Sequence, residues 1–177
     1  MKKRTATITR KTKETNIKIA LNIDGSGKTK INTGIGILDH MLELFAFHGL
    51  FDLEITAQGD LDKVDIHHTN EDIGIVLGQA FKKALDDKKG IRRFGSVSVP
   101  MEGVVANVMV DISGRGFCKF EWTKLSVAIK KQNGYSFFSN TEHFLDSFAK
   151  NLGMNLNVKV ESPTSDLHTN LEPIFKI

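Results

Sequence analysis

Hydrophobic and polar positions along this chain follow two periods, and the switches between them mark the elements. Thr5–Thr9 and Asn16–Ile23 alternate with a period of two and read as strands, with Asp24–Lys28 and its Gly25 and Gly27 as their turn. From Gly34 to His48 the apolar residues Ile35, Leu38, Leu42 and Phe45 recur at helical spacing, with Thr33 as N-cap and Gly49 as the stop. Phe51–Ala57 predicts a strand, Gln58–Asp65 a polar loop, and Asn70 to about Lys88 a second helix with Glu71 and Asp72 in its first turn. Ser96–Pro100, Val104–Ile112 and Phe117–Trp122 follow as strands, and Leu125–Ser136 as a surface hairpin or loop. Helix Thr141–Leu152, strand Met154–Val160, loop Glu161–Asp166 and a helix from Thr169 onward complete the series.

That last series repeats an earlier one. Asp39-His40-Met41-Leu42-Glu43-Leu44-Phe45-Ala46 matches Glu142-His143-Phe144-Leu145-Asp146-Ser147-Phe148-Ala149 in residue type at nearly every position. Leu53 and Ile55 then meet Leu156 and Val158, and after two residues of drift His67-His68-Thr69-Asn70-Glu71 meets His168-Thr169-Asn170-Leu171-Glu172. A spacing of about 100 residues is too long for a solenoid repeat and indicates an internal duplication. The expected fold is α+β, with two similar halves at residues 1–93 and 94–177. Each half is a mixed β-sheet covered by two helices, and a pseudo-twofold axis relates the two.

Composition narrows the class. The 177 residues are 40% hydrophobic and 25% charged, ordinary globular usage that excludes disordered and collagen-like chains. Cys118 is the single cysteine and has no internal disulfide partner, which fits a reducing compartment. No apolar run approaches the roughly 20 residues of a membrane helix, and the basic start MKKRTATITRKTKET lacks a signal peptide's apolar stretch. A cytoplasmic protein without a membrane partner is expected. The net charge of +3, from 24 Lys and Arg against 21 Asp and Glu, is too slight to imply nucleic acid but suits a small anionic substrate.

The duplicated residues carry the chemistry. Five of the six histidines, His40, His67, His68, His143 and His168, lie in the repeated motifs; His48 does not, and alone it reads as a packing or surface residue. His67 with Glu71, and His168 with Glu172, are i,i+4 pairs on one helical face. Imidazole nitrogens plus a carboxylate suit Mn, Fe, Zn or Ni, and three or four protein ligands per metal leave positions open for substrate. Alone, His67-His68 reads equally well as part of a solvated loop; repetition favours metal binding, the alternative being that one half keeps the motif as an inert relic. Arg93 and Arg115 fall at strand ends or turns, where a guanidinium fork suits phosphate or carboxylate. Lys176 adds a cation near His168 and Glu172, and Glu14 alone reads as a solvated strand-end residue.

Several segments carry a family resemblance: Arg-x-Thr-x-Glu-Thr (Arg10–Thr15), Thr-Gly-Ile-Gly-Ile-Leu-Asp-His-Met-Leu (Thr33–Leu42), His-Gly-Leu-Phe-Asp-Leu (His48–Leu53) and Gly-Asp-Leu (Gly59–Leu61). His-His-Thr-Asn-Glu-Asp (His67–Asp72), Arg-Phe-Gly (Arg93–Gly95), Val-Asp-Ile-Ser-Gly-Arg (Val110–Arg115), Glu-His-Phe (Glu142–Phe144) and Phe-Lys (Phe175–Lys176) extend it. Over nearly its whole length the chain resembles the imidazoleglycerol-phosphate dehydratases of histidine biosynthesis. The resemblance implies a ribosomal protein S5 domain 2-like fold and two Mn(II) ions per subunit, other divalent transition metals being possible. It also implies a 24-subunit homo-oligomer with sites assembled between chains, and a small phosphorylated imidazole substrate that is dehydrated. Carried over, His40, His68, Glu71 and His168 would serve one metal, and His67, His143 and Glu172 the other. Arg93, Arg115 and Lys176 match phosphate-holding positions, with His40 and His48 added as substrate contacts. Glu14 matches a substrate-contacting carboxylate, and with His67, Glu71 and Glu172 forms the catalytic set.

The sequence departs from the family pattern at specific places. The second motif has Thr169 where a histidine is usual, and Pro100-Met101-Glu102-Gly103 stands where Pro-Met-Asp-Glu is usual. The first-half helix runs on from Glu71 to about Lys88, whereas the sequence ends at Ile177, so one sheet face is expected to be partly uncovered and assembly to stop at a trimer if truncation matters. The alternative function is a catalytically impaired or truncated relative that keeps the fold and partial metal binding. A dinuclear metallohydrolase lacks the Asp-rich site it would need.

Overall fold

The computed structural model describes residues 3–62, 64–123 and 135–176, with the backbone alone for 135–137. In chain order the elements are β1 (Thr5–Lys11), β2 (Asn16–Asn22), β3 (Thr29–Asn32), α1 (Gly36–Gly49), β4 (Asp52–Gln58) and α2 (His67–Leu85). They continue with β5 (Phe94–Met101), β6 (Val104–Asp111), β7 (Phe117–Trp122), α3 (Tyr135–Leu152), β8 (Asn155–Glu161) and α4 (Leu167–Phe175). The two halves have one topology. The first sheet runs β1-β2-β4-β3 and the second β5-β6-β8-β7, each with two antiparallel pairings and a parallel edge strand.

Period-two alternation sends one set of side chains inward from each sheet. Ile17, Ile19 and Leu21 of β2 face Ala57, Ile55 and Leu53 of β4 in register, and all six are buried. Ala106 and Val108 of β6 face Val160 and Val158 of β8 in the same way. Helices α1 and α2 lie on the first sheet and α3 and α4 on the second, while α2 packs against α3 and α1 against α4. The result is a sheet–helix–helix–sheet sandwich with one continuous hydrophobic core.

The α2–α3 contact depends on two glycines. A Cβ on Gly74 would lie 2.6 Å from the Phe144 carbonyl oxygen, and one on Gly78 would lie 2.6 Å from the Phe148 carbonyl oxygen. The backbones therefore approach at two successive turns, around the middle of α2 and of α3.

Several boundaries differ from the sequence reading. The turn joining β1 to β2 is formed by residues 12–15, held by the Thr12 hydroxyl accepting from the Glu14 and Thr15 amides; Asp24–Lys28 leads instead from β2 to β3. The Asp52 carboxylate accepts from the Ser26 and Lys28 amides and organises that second turn. Strand β3 escapes the period-two pattern because it is short and pairs along one edge only, in parallel to β4. Helix α1 is capped at Ile35, and Thr33 instead binds Asp39 through its amide and hydroxyl. The left-handed residue at its end is Leu50 (φ 56°); Gly49 is helical, and a Cβ there would strike the Phe51 ring. Helix α2 begins three residues earlier than Asn70, and α3 begins at Tyr135, so Tyr135 and Ser136 are helical rather than loop. Residues 125–134 of the expected hairpin lie outside the described residues.

Helix α4 is half the length of α2, yet the second sheet is not left bare: Val108, Leu156 and Val158 are buried. Instead, an apolar cavity of about 270 Å³ lies between the layers, lined among others by Phe45, Phe81, Val108, Phe148, Leu156 and Ile174. Phe81 of α2, Phe148 of α3 and Ile174 and Phe175 of α4 all line this space. None of the helices described is long and apolar enough to cross a membrane.

Candidate metal centre

Duplicated elements bring duplicated side chains together across the helix pairs. On the α1–α4 side, His40 Nε2 lies 3.1 Å from His168 Nε2 and 3.0 Å from Glu172 Oε1, and His168 Nε2 lies 2.5 Å from the same oxygen. The imidazole rings stack at 5.1 Å with 9° between their planes. Ligands at about 2.1 Å from one metal, at right angles, lie about 3 Å apart, and these three atoms are close enough together to hold one divalent cation. Glu172 is buried, and it also pairs with Lys176 one turn on. Burial works to raise its carboxyl, but hydrogen bonds from Lys176 and His40 outweigh that and hold it below the ordinary value.

On the α2–α3 side the corresponding residues are His67, Glu71 and His143. His67 Nε2 is 3.7 Å from Glu71 Oε2, and the His67 and His143 rings meet edge to face at 5.0 Å. Glu142, next to His143 on α3, accepts from Trp122 Nε1 of β7 at 2.9 Å. Because α1 packs on α4, Glu172 lies with His40 as well as with His168 of its own helix, while Glu71 lies one turn from His67, which meets His143.

His68 lies in neither group. Its Nδ1 is 3.0 Å from Asp60 Oδ2, a hydrogen bond that raises the imidazole above its ordinary value. Thr169, in the corresponding place on α4, is buried, and its amide donates to the N-cap carboxylate of Asp166.

Asp72 was not singled out from sequence. It accepts from Arg10 Nε at 2.8 Å and from the Thr15 hydroxyl at 2.5 Å, tying the turn that carries Glu14 to α2 one residue after Glu71. Asp60 was missed as well. Both stood inside quoted motifs, Gly-Asp-Leu and His-His-Thr-Asn-Glu-Asp, and that membership was the available signal.

The basic candidates sit elsewhere. Arg93 makes a two-point pair with Asp111, at 2.6 and 3.1 Å, and lies over the Phe94 ring. Arg115 occupies the β6–β7 turn, where its amide donates to the Ser113 hydroxyl. His48 lies at the far end of α1, two turns from His40 and edge-on to Phe47. Among the described residues no hydrogen bond joins Arg93, Arg115 or His48 to either histidine group.

The fold and these residues have close counterparts. A family model of imidazoleglycerol-phosphate dehydratase matches residues 33–177. The imidazoleglycerol-phosphate dehydratase of Methanocella arvoryzae is 51% identical over 173 residues, covering 98% of this chain and 86% of that protein. That of Geobacter metallireducens is 51% identical over 174 residues with the same coverage. The crystal structure of the Staphylococcus aureus enzyme superposes with a TM-score of 0.78 at 34% identity, covering 97% of this chain and 92% of that one. The Pyrococcus furiosus enzyme, crystallised with (S)-C348, gives 0.71 at 32% identity, covering 96% and 87%. Sequence, topology and the duplicated helices agree, and the chain belongs to the imidazoleglycerol-phosphate dehydratase family, which are hydro-lyases of histidine biosynthesis.

Proposed function

We propose that this chain catalyses the metal-dependent dehydration of imidazole-glycerol phosphate to imidazole-acetol phosphate. The observation that carries this reading is the convergence of His40 Nε2, His168 Nε2 and Glu172 Oε1 within 3.1 Å of one another. Two imidazoles and a carboxylate are a donor set for a divalent transition metal such as Mn(II), and His67, Glu71 and His143 offer a second. A divalent metal held by these donors supplies Lewis acidity toward the substrate's imidazole ring.

The chain's own groups account for the rest. The reaction removes a proton from a side-chain carbon and expels the neighbouring hydroxyl as water, and the resulting enol becomes the ketone. Glu14, on the tightly held turn of residues 12–15, is the carboxylate that moves the proton. Arg93, Arg115 and Lys176 hold the phosphate, a part of the substrate that does not react, and thereby position the part that does. The separation of Arg93 and Arg115 from the histidine groups supports a site completed by neighbouring copies, with His48 and His68 reaching across the contact; a 24-subunit homo-oligomer is the assembly proposed. A cytoplasmic location and the absence of nucleic-acid and membrane partners go with this reading.

The test is turnover and metal content together. The wild type, loaded with Mn(II), is expected to hold about two ions per chain and to release imidazole-acetol phosphate. His40→Ala and Glu172→Gln should each weaken binding by more than the roughly 10–100-fold typical of an outer-shell partner. A second reading, a relative that keeps the fold and partial metal binding without turnover, draws support from Thr169, which puts a buried hydroxyl where His68 stands in the first half. Full metal content without product would select it.

A further inference from the structure

The two histidine groups are related by the duplication, but His68 stands outside both, and Thr169 replaces it in the second half. We propose that Asp60 is the positioning residue of His68: it keeps the imidazole proton on Nδ1 and presents Nε2 as a metal donor at the head of α2. The inference rests on the reading of His68 as a donor.

An ionised carboxylate only accepts hydrogen bonds, so the neutral imidazole beside it must donate from Nδ1, and its lone pair is left on Nε2. Asp60 is well placed to impose this, because its side chain is 13% exposed while that of His68 is 43% exposed. The anchor is the buried partner and the imidazole is the accessible one. The loop that carries Asp60 is pressed against the first turn of α2: a Cβ on Gly59 would lie 1.8 Å from Thr69 Oγ1, and the Val64 amide closes the loop onto the Asp60 carbonyl at 3.0 Å. The second carboxylate oxygen, Asp60 Oδ1, is buried without a hydrogen-bond partner among the described residues.

The second half supplies an internal comparison. The place of His68 is taken by Thr169, so the second half carries no imidazole there. Second partners of this kind fix the tautomer and ring orientation of a donor histidine.

The test uses the full chain, metal-free, with nitrogen-15 in its histidines at mildly alkaline pH, together with Mn(II) titration calorimetry. His68 is expected to carry its proton on Nδ1 in the wild type. In Asp60→Ala that preference should be lost and Mn(II) affinity should fall about 10–100-fold. Asp60→Asn, which keeps an acceptor oxygen, should retain the Nδ1–H form with a smaller loss, and it serves if Asp60→Ala does not fold. An unchanged His68 tautomer in Asp60→Ala overturns the inference. So does Mn(II) affinity that is lost in His68→Ala but kept in both Asp60 variants, in which case the donor role stands and the positioning role alone fails. Equal Mn(II) binding by wild type and His68→Ala overturns the donor reading and this inference with it.

Discussion

Asp72, in the second turn of α2, accepts a hydrogen bond from Arg10 at 2.8 Å and thereby ties the end of β1 to the helix that carries His67 and Glu71. Its other oxygen takes the hydroxyl of Thr15, which is buried. Removing the carboxylate leaves that hydroxyl without its acceptor. Asp72→Ala is therefore expected to lower the unfolding free energy by about 1–3 kcal/mol, and to speed amide exchange in the turn of residues 12–15. Urea denaturation and hydrogen exchange read the two effects; an unchanged midpoint would mean that the Thr12 hydroxyl alone holds the turn.

Gly74 and Gly78 set the distance between α2 and α3. Alanine raises helix propensity by about 1 kcal/mol over glycine, but at these sites its Cβ would press on backbone carbonyls that have no rotamer to yield. Gly74→Ala and Gly78→Ala are each expected to destabilise by about 1–3 kcal/mol net, and Gly74→Ala should also separate His67 from His143. Gly36→Ala is the control. Nothing lies within 4 Å of a Cβ there, so it should be neutral or mildly stabilising in the same denaturation series.

The apolar cavity can be filled. Val108 and Val158 are cross-strand neighbours on β6 and β8, and both line it. Val108→Ile adds one methylene without removing the β-branch that suits a strand, for a gain of about 0.8 kcal/mol. Thermal unfolding should show a raised midpoint. A lowered one would mean that the cavity wall at Val108 is too close to accept the added carbon.

The N-cap of α4 gives a pH signature. Asp166 accepts from the Thr169 amide at 2.7 Å, and that backbone hydrogen bond, first among the causes, holds its carboxyl below the ordinary value. A depressed carboxyl contributes stability that is present above its unfolded value, about 3.9, and is lost as pH falls through the folded one. Asp166→Ala should thus cost about 1 kcal/mol near neutrality, and the gap to wild type should hold until pH falls into the acid range and then close. Asp166→Asn keeps the cap without a titrating group, so its stability should be the less pH-dependent of the two. A gap that widens on acidification would sink the assignment.

The duplication, the period-two strands and the helical stripes could all be read from local spacing, because each depends on residues a few positions apart. The strands around Ile17, Ile55, Val108 and Val158 were found this way, and so were the paired motifs His67–Glu71 and His168–Glu172. Strand β3 was not, since four residues on a sheet edge carry too little alternation to register. The start of α2 was placed late because polar residues such as His67 open it before the apolar stripe begins, and that of α3 because Asn133–Gly134 just before it reads as a turn.

Local spacing therefore supplies the cast of side chains: six histidines, the glutamates one turn beyond two of them, and two halves built alike. Which glutamate meets which histidine is a long-range matter. His40 and Glu172 are separated by 132 positions and come within 3.0 Å only because α1 packs on α4. His67 and His143 meet because glycines let α2 approach α3. The same holds for Asp60, whose partner is fixed by a loop folded back on the helix start. Spacing along a chain reports which residues share a face of one element, but the packing of different elements is settled by the burial of their apolar faces, and only the tertiary structure records that.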